Sequence, residues 1–360
     1  MKNFIALLIT ILFNINVQAA SSNDRIQITE TGLISCFPEN TKTNLIQIKE
    51  PLEIDASCEP SAVVYHNQSL IFGNDKTIEN KKISSIFSLE YKKGKFSNKN
   101  KITYYTHPNI FLVKKFEDFA QTLDKKYILA TTAFDREDDN LEYNSVIYWN
   151  SDNPNNVNFL QVKENEQYSR KIKYYLQKAI NKPYFKIEGL VIIPNNKLIF
   201  GVREEGESYK NFKNVVHLIS VSIFEENSKL YLSNDFKLVY AFENSFKYVK
   251  EKVGISSLTW NPYNNSILLL TSFEAQEKVG AYLWELPLSE LEKNNDLKIL
   301  LTKENKPLLF THKAEGITFI DKNKLFVIHD DDRRIIPAEI NNKIYLRKPY
   351  EAIYNIITFE

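Results

Sequence analysis

Five stretches of this chain repeat one pattern, and such internal repetition restricts the possible folds more than any composition does. They are CEPSAVVYHNQSLIFGND from Cys58, FEDFAQTLDKKYILATTAFDR from Phe116, IEGLVIIPNNKLIFGVREE from Ile187, ISSLTWNPYNNSILLLTSFE from Ile255 and AEGITFIDKNKLFVIHDDD from Ala314. Each runs from a polar start through an apolar strand, a turn of Asn, Asp, Lys or Pro and a second apolar strand to a polar end. The leading polar residues are Glu59, Glu117, Glu188, Ser256 and Glu315, separated by 58, 71, 68 and 59 residues. Turns such as PNNK and DKNK supply the Asn and Asp that tolerate positive φ in tight hairpins. The flanking runs favour β-branched and aromatic residues, as strands do.

Further strand-like stretches follow each hairpin, among them SIFSLEYKKGKF, SVIYWN, VVHLISVSI and GAYLWELPL. Four strands in about sixty residues describe a propeller blade. The all-β chain is therefore expected to form a β-propeller over residues 20–360. Five hairpins leave RIQITETGLI, LIQIKEPLEI and KIYLRKPYEAIYNIITFE unassigned at the ends. They are expected to build a sixth blade closed by both termini, with seven blades as the alternative. Within residues 165–181, Ile172, Leu176 and Ile180 are spaced by four, which predicts a helical insertion packed across one end.

Antiparallel partners lie equidistant from the turn. With the third turn centred between Asn195 and Asn196, Glu188 faces Arg203; by the same rule Glu315 faces Asp330. Glu59 falls near Asp75, Glu117 near Asp135 and Arg136, and Ser256 near Glu274. The polar ends of all five hairpins thus meet at one mouth of the central channel. The ligand-binding candidates are Glu188, Arg203, Glu204, Glu315, Asp330 and Arg333, and His329 is a further candidate beside them. Glu59, Glu117 and Asp331 are the candidate metal ligands, because crowded carboxylates suit calcium. A purely structural role, with each acid bonded to a neighbouring blade, is the competing reading. No GxSxG, HExxH or P-loop motif is present.

Lys2 followed by FIALLITILF and the small residues around VQA predicts a cleavable signal peptide over residues 1–19, with a retained anchor as the alternative. No other stretch is long and apolar enough to span a membrane, and a formal net charge of +1 gives no basis for nucleic-acid binding. Cys36 and Cys58 are the only cysteines. In an exported protein they are expected to form a disulfide, the alternative being two buried thiols. A periplasmic or secreted monomer that binds a small polar ligand or a protein partner is expected.

The order FEDFA…TTAFDR, SRKIKYYLQKAI, IEGLVIIPNNKLIFGVRE, AEGITFIDKNKLFVIHDDD resembles secreted bacterial propellers of the phytase-like, esterase-like group over Cys58 to Arg334. It is most similar to an uncharacterised branch whose third hairpin reads EGL…P…L…G-x-R. The resemblance implies a six-bladed propeller exported from a bacterium, and calcium-assisted hydrolysis of phosphate or carboxylic esters. The residues that match its pattern are Glu188, Gly189, Gly201, Arg203, Glu315, Gly316 and Asp330.

Overall fold

The computed structural model describes residues 25–37, 58–75, 83–97, 101–136, 140–242, 245–275, 278–293, 297–332, 334 and 336–360. The expected signal peptide, the stretch LIQIKEPLEI and Arg333 lie outside them.

Each of the five repeats is a β-hairpin at the inner edge of its own antiparallel sheet. Blade I starts at Pro60–His66 and Ser69–Asn74, blade II at Phe116–Gln121 and Tyr127–Thr132, and blade III at Tyr184–Ile193 and Lys197–Ser208. Blade IV starts at Gly254–Asn261 and Ser266–Ala275, and blade V at Ala314–Asp321 and Lys324–His329. In the third turn Asn195 and Asn196 take φ of 65° and 53°, as a tight hairpin requires.

The five first strands touch one another in a closed cycle, I to II to III to IV to V and back to I. Five apolar cores match that cycle, one between each neighbouring pair of sheets. Phe72 of blade I meets Phe326 of blade V, for example, and Trp149 of blade II meets Tyr105. The arrangement is a β-propeller, and the described residues contain five such sheets.

The terminal strands do not form a blade of their own. Glu351–Phe359 pairs with Lys324–His329, and Ile26–Ser35 pairs with Glu351–Phe359 from Ile26↔Phe359 to Ser35↔Glu351. Both termini therefore complete blade V. The fifth hairpin needs them, because two strands alone bury too little to be stable.

The helix matches the spacing of Ile172, Leu176 and Ile180 but is shorter than the expected segment 165–181. It spans Ile172–Ile180 and ends at Asn181 in the left-handed conformation. The preceding residues are strands instead, Gln161–Glu164 and Gln167–Ser169, and the first runs parallel to Lys229–Leu232 at the outer edge of blade III. Among the described residues no helix is long and apolar enough to cross a membrane.

Cys36 and Cys58 form a disulfide with Cα atoms 5.4 Å apart. Their amides donate to Tyr350 and Pro349 carbonyls, so the bridge ties the start of blade I to the closing blade. A loop of this length is worth about 3 kcal/mol in the chain-entropy account. Replacing both cysteines by serine is expected to lower the denaturant midpoint by the equivalent amount. An unchanged midpoint would show that the other strand contacts alone close the ring.

Candidate functional site

Every inner hairpin has a register shift at the same place. The shifts lie between Pro60 and Ala62, Phe116 and Asp118, Ile187 and Gly189, Ile255 and Ser257, and Ala314 and Gly316. The bulged residues are Ser61, Glu117, Glu188, Ser256 and Glu315. A bulge bends the strand and re-aims the side chain it carries. Glu59 is thus not the first-blade counterpart of the other acids, as its place in the repeat suggested; Ser61 is. Glu59 stands two residues earlier, where the other blades have Lys115, Lys186, Gly254 and Lys313. Its amide donates to Asn74 Oδ1 and its carbonyl accepts from Asp75, close to the expected Asp75 neighbourhood.

Blades II, III and V therefore share the sequence Lys-x-Glu, and the bulge brings each lysine to its glutamate. Lys115 Nζ is 3.5 Å from Glu117, Lys313 Nζ is 3.2 Å from Glu315, and Lys186 bonds Glu188. The pairs also reach across blades. Lys186 lies 3.7 Å from Glu117 of blade II, and Lys313 lies 3.1 Å from Glu274 of blade IV. In blade IV, glycine replaces the lysine and Arg203 of blade III takes the vacated space. A Cβ on Gly254 would lie 2.7 Å from Arg203 Cγ, so this close approach requires glycine. Arg203 Nη1 donates to Glu188 Oε2 at 2.8 Å, Ser272 Oγ at 2.8 Å, Ser256 Oγ at 3.1 Å and the Ile255 carbonyl at 3.1 Å. The expected Glu188–Arg203 pair exists, although the bulge removes the simple register that predicted it.

Below this belt of charge stands Asp118 on the axis, a residue that no motif in the sequence marks. Its Oδ2 accepts from the amides of Leu190 in blade III and Leu258 in blade IV, at 2.8 and 2.9 Å. Its Oδ1 accepts from its neighbour Phe119 and from Ser257 Oγ, and Ser257 Oγ accepts in turn from the Ile317 amide of blade V. One carboxylate so links four blades. The residue after the bulge is Ala62, Gly189, Ser257 or Gly316 elsewhere, all small, which leaves room for one acid.

The other candidates hold local roles. Glu204 accepts from Tyr184 Oη at 2.7 Å. Asp330 does not meet Glu315 directly as strand partner; its Oδ1 accepts from the Asp332 amide. Asp331 holds His312 Nδ1 at 2.7 Å and the Lys313 amide at 2.9 Å, which positions Lys313. His329 Nε2 is 2.6 Å from Asn355 Oδ1 inside blade V.

Burial pushes Glu117 up to about 8, with Glu188 and Asp75 adding to it; the contacts to Lys186 and Lys115 are too long to compensate. Burial likewise raises Glu315 to about 7 against Lys313. For Glu188, burial works upward too, but Arg203 and Lys186 outweigh it and hold the carboxyl at about 2. Burial lowers His329 to about 4. The raised acids bind more protons folded than unfolded, so their stabilisation is full below about pH 4.5 and is lost as pH rises through 7 to 8. His329 acts oppositely, but only between about pH 4 and 6.5. The melting temperature is therefore expected to fall from pH 6.5 to 8, and Glu117→Gln to flatten much of that slope. Parallel slopes in the two proteins would place the titration elsewhere.

The charged set does not fit a metal ion well. Among the described residues no three His, Cys, Asp or Glu side chains are grouped to hold one. Lysine ammonium groups stand against Glu117, where calcium would need further oxygens.

No family model and no curated protein matches the chain. Solved structures are similar in fold at low identity. They include the α-L-arabinofuranosidase of Podospora anserina, at 8% identity and TM-score 0.43, covering 87% of this chain and 94% of that one. A glycosyl hydrolase from Bacteroides ovatus has 10% identity and TM-score 0.39, covering 89% and 94%. An extracellular domain from B. thetaiotaomicron has 11% identity and TM-score 0.34; it covers 79% of this chain, which spans only 27% of that one.

Proposed function

We propose that this protein is an exported bacterial propeller that binds a small polar ligand at the charged end of its axis. The observation that carries this reading is the ring of Lys-x-Glu pairs. Blades II, III and V each contribute one such pair and blade IV adds Glu274, and the side chains of Lys186 and Lys313 keep a little exposed surface beside buried carboxylates. Such a preformed set of donors and acceptors suits a ligand rich in hydroxyl, amide or zwitterionic groups, since its ordering is complete before binding. The disulfide and the signal-like start support export.

The test is thermal unfolding against panels of neutral sugars, amino acids and inorganic phosphate, with calcium and a chelator as separate arms. A ligand at about 100 times its dissociation constant adds about 2.7 kcal/mol. At least one polar class is expected to raise the melting temperature, and Lys186→Met to abolish the rise. Calcium and chelator are expected to leave it unchanged. Silence from every polar class would return the ring to a purely structural role, and a calcium-dependent rise would restore the metal reading of Glu59, Glu117 and Asp331.

A second reading, hydrolysis of phosphate or carboxylic esters, is favoured by one observation. Glu117 and Glu188 are neighbouring carboxyls driven to opposite protonation states, the division of labour an acid and a base need. The motif resemblance to phytase-like and esterase-like propellers points the same way. Turnover of p-nitrophenyl phosphate or acetate that disappears in Glu117→Gln would establish it.

A further inference from the structure

The opposite end of the axis holds a separate cavity of about 450 Å³, beneath Asp118 and opening between the hairpin turns. Its size lies within the range of small-molecule sites. Its walls come from all five inner strands, with Tyr65, Phe119, Ile192, Trp260 and Phe319 among them. Titratable charge enters only at the mouth, where Lys125 and Asp321 are exposed to solvent. Asp118 lies behind the lining residues Phe119, Leu190 and Leu258, and its carboxylate is already satisfied by four donors.

The backbone adds polar groups to these apolar walls. Each inner strand has a sheet neighbour on one side only. The amides of Leu190 and Leu258 point from the free edge to Asp118, and that of Ile317 points to Ser257. Strand geometry repeats every two residues, so the amides of Ile192, Trp260 and Phe319 face the axis as well, about 7 Å further down. By this alternation the three amides point away from their hairpin partners, and the Trp260 indole N–H and the Tyr65 hydroxyl stand on the same lining. A half-open polar edge of this kind is met by water or by a ligand.

From this combination we infer that the cavity is a second binding site, for one small, neutral, ring-shaped molecule with hydrogen-bonding groups on its edge. Aromatic and aliphatic walls cover the faces of the ring, and the free strand edges meet its periphery. A charged ligand is excluded because no counter-ion stands within the walls. The site is independent of the ligand proposed for the charged end, since Asp118 separates the two.

The experiment uses N-phenyl-1-naphthylamine, a neutral two-ring probe with one N–H, titrated into the full mature protein. The expected result is saturable emission enhancement with one probe per chain. Trp260→Ala and Phe319→Ala, both at half-buried wall positions, are each expected to weaken binding at least tenfold while far-UV circular dichroism is retained. Glu117→Gln at the other end is expected to bind within twofold of wild type. The proposal is overturned if no saturable binding occurs, if both wall variants bind as the wild type does, or if Glu117→Gln loses the probe. If one wall variant fails to fold, the other decides.

Discussion

Asp118→Ala is expected to be the most destabilising single substitution in this propeller, by about 4 kcal/mol or more. The side chain is fully buried and accepts four hydrogen bonds from blades II, III and IV. Alanine would leave the amides of Phe119, Leu190 and Leu258 and the hydroxyl of Ser257 without an acceptor in a space closed to water. Each orphaned donor costs about 1–3 kcal/mol, and a shared loss is less than the sum. In a domain of this size the fall in melting temperature is roughly 6 °C or more. Asp118→Asn keeps the shape but turns an NH₂ toward donors, so it should also be poorly tolerated. Melting by circular dichroism decides. An alanine variant within about 2 °C of wild type would mean that a water replaces the carboxylate and that the five blades do not depend on this tie.

Burial raises the Asp118 carboxyl well above the ordinary range while the surrounding donors pull it down. That tension explains why only one blade carries an acid here. Two carboxylates at this depth would repel each other with too few donors to share. The small residues Gly189, Ser257, Gly316 and Ala62 in the other blades are the complement of one plug, not five independent choices.

The hairpins were legible because their information is local: an apolar run, a turn that accepts positive φ, a second apolar run. The closure was less so. Counting strands per hairpin shows that Ala314–His329 lacks its two outer partners, and that the two terminal strands supply them. A sixth blade would leave that hairpin incomplete. Gln161 and Val162 pair with Tyr231 and Leu232, seventy residues later, and no local period announces such a contact. At the site, Glu188 and Arg203 were found through turn symmetry even though a bulge intervenes. Lys-x-Glu in three blades was equally visible, but the apparent alignment of Glu59 with Glu117 hid it. Shifting the first repeat by two residues places Glu59 with the lysines and Ser61 with the glutamates. Asp118 stood inside a quoted motif and gave no local signal, since its partners lie on blades 72 and 140 residues away.

Removing one member of the Glu188–Arg203 pair is expected to cost about 3–5 kcal/mol, the range for breaking a buried ion pair from one side. Glu188→Met leaves the guanidinium with Ser256, Ser272 and the Ile255 carbonyl, and with Glu204 at 3.9 Å as a longer ion-pair partner. Arg203→Met is the milder change, because Lys186 still bonds Glu188. The double variant should lose clearly less than the sum, since neither charge is then left alone; additive losses would show that the two side chains act separately. Acid sensitivity gives an independent reading of the same contact. Glu188 titrates near 2 in the folded chain against an ordinary value of 4.5, so it stabilises the fold above about pH 4.5 and that contribution is lost as pH falls toward 2. Arg203→Met removes the first of the attractions, with Lys186 and Lys313, that hold the carboxyl down. Its acid-unfolding midpoint should therefore rise.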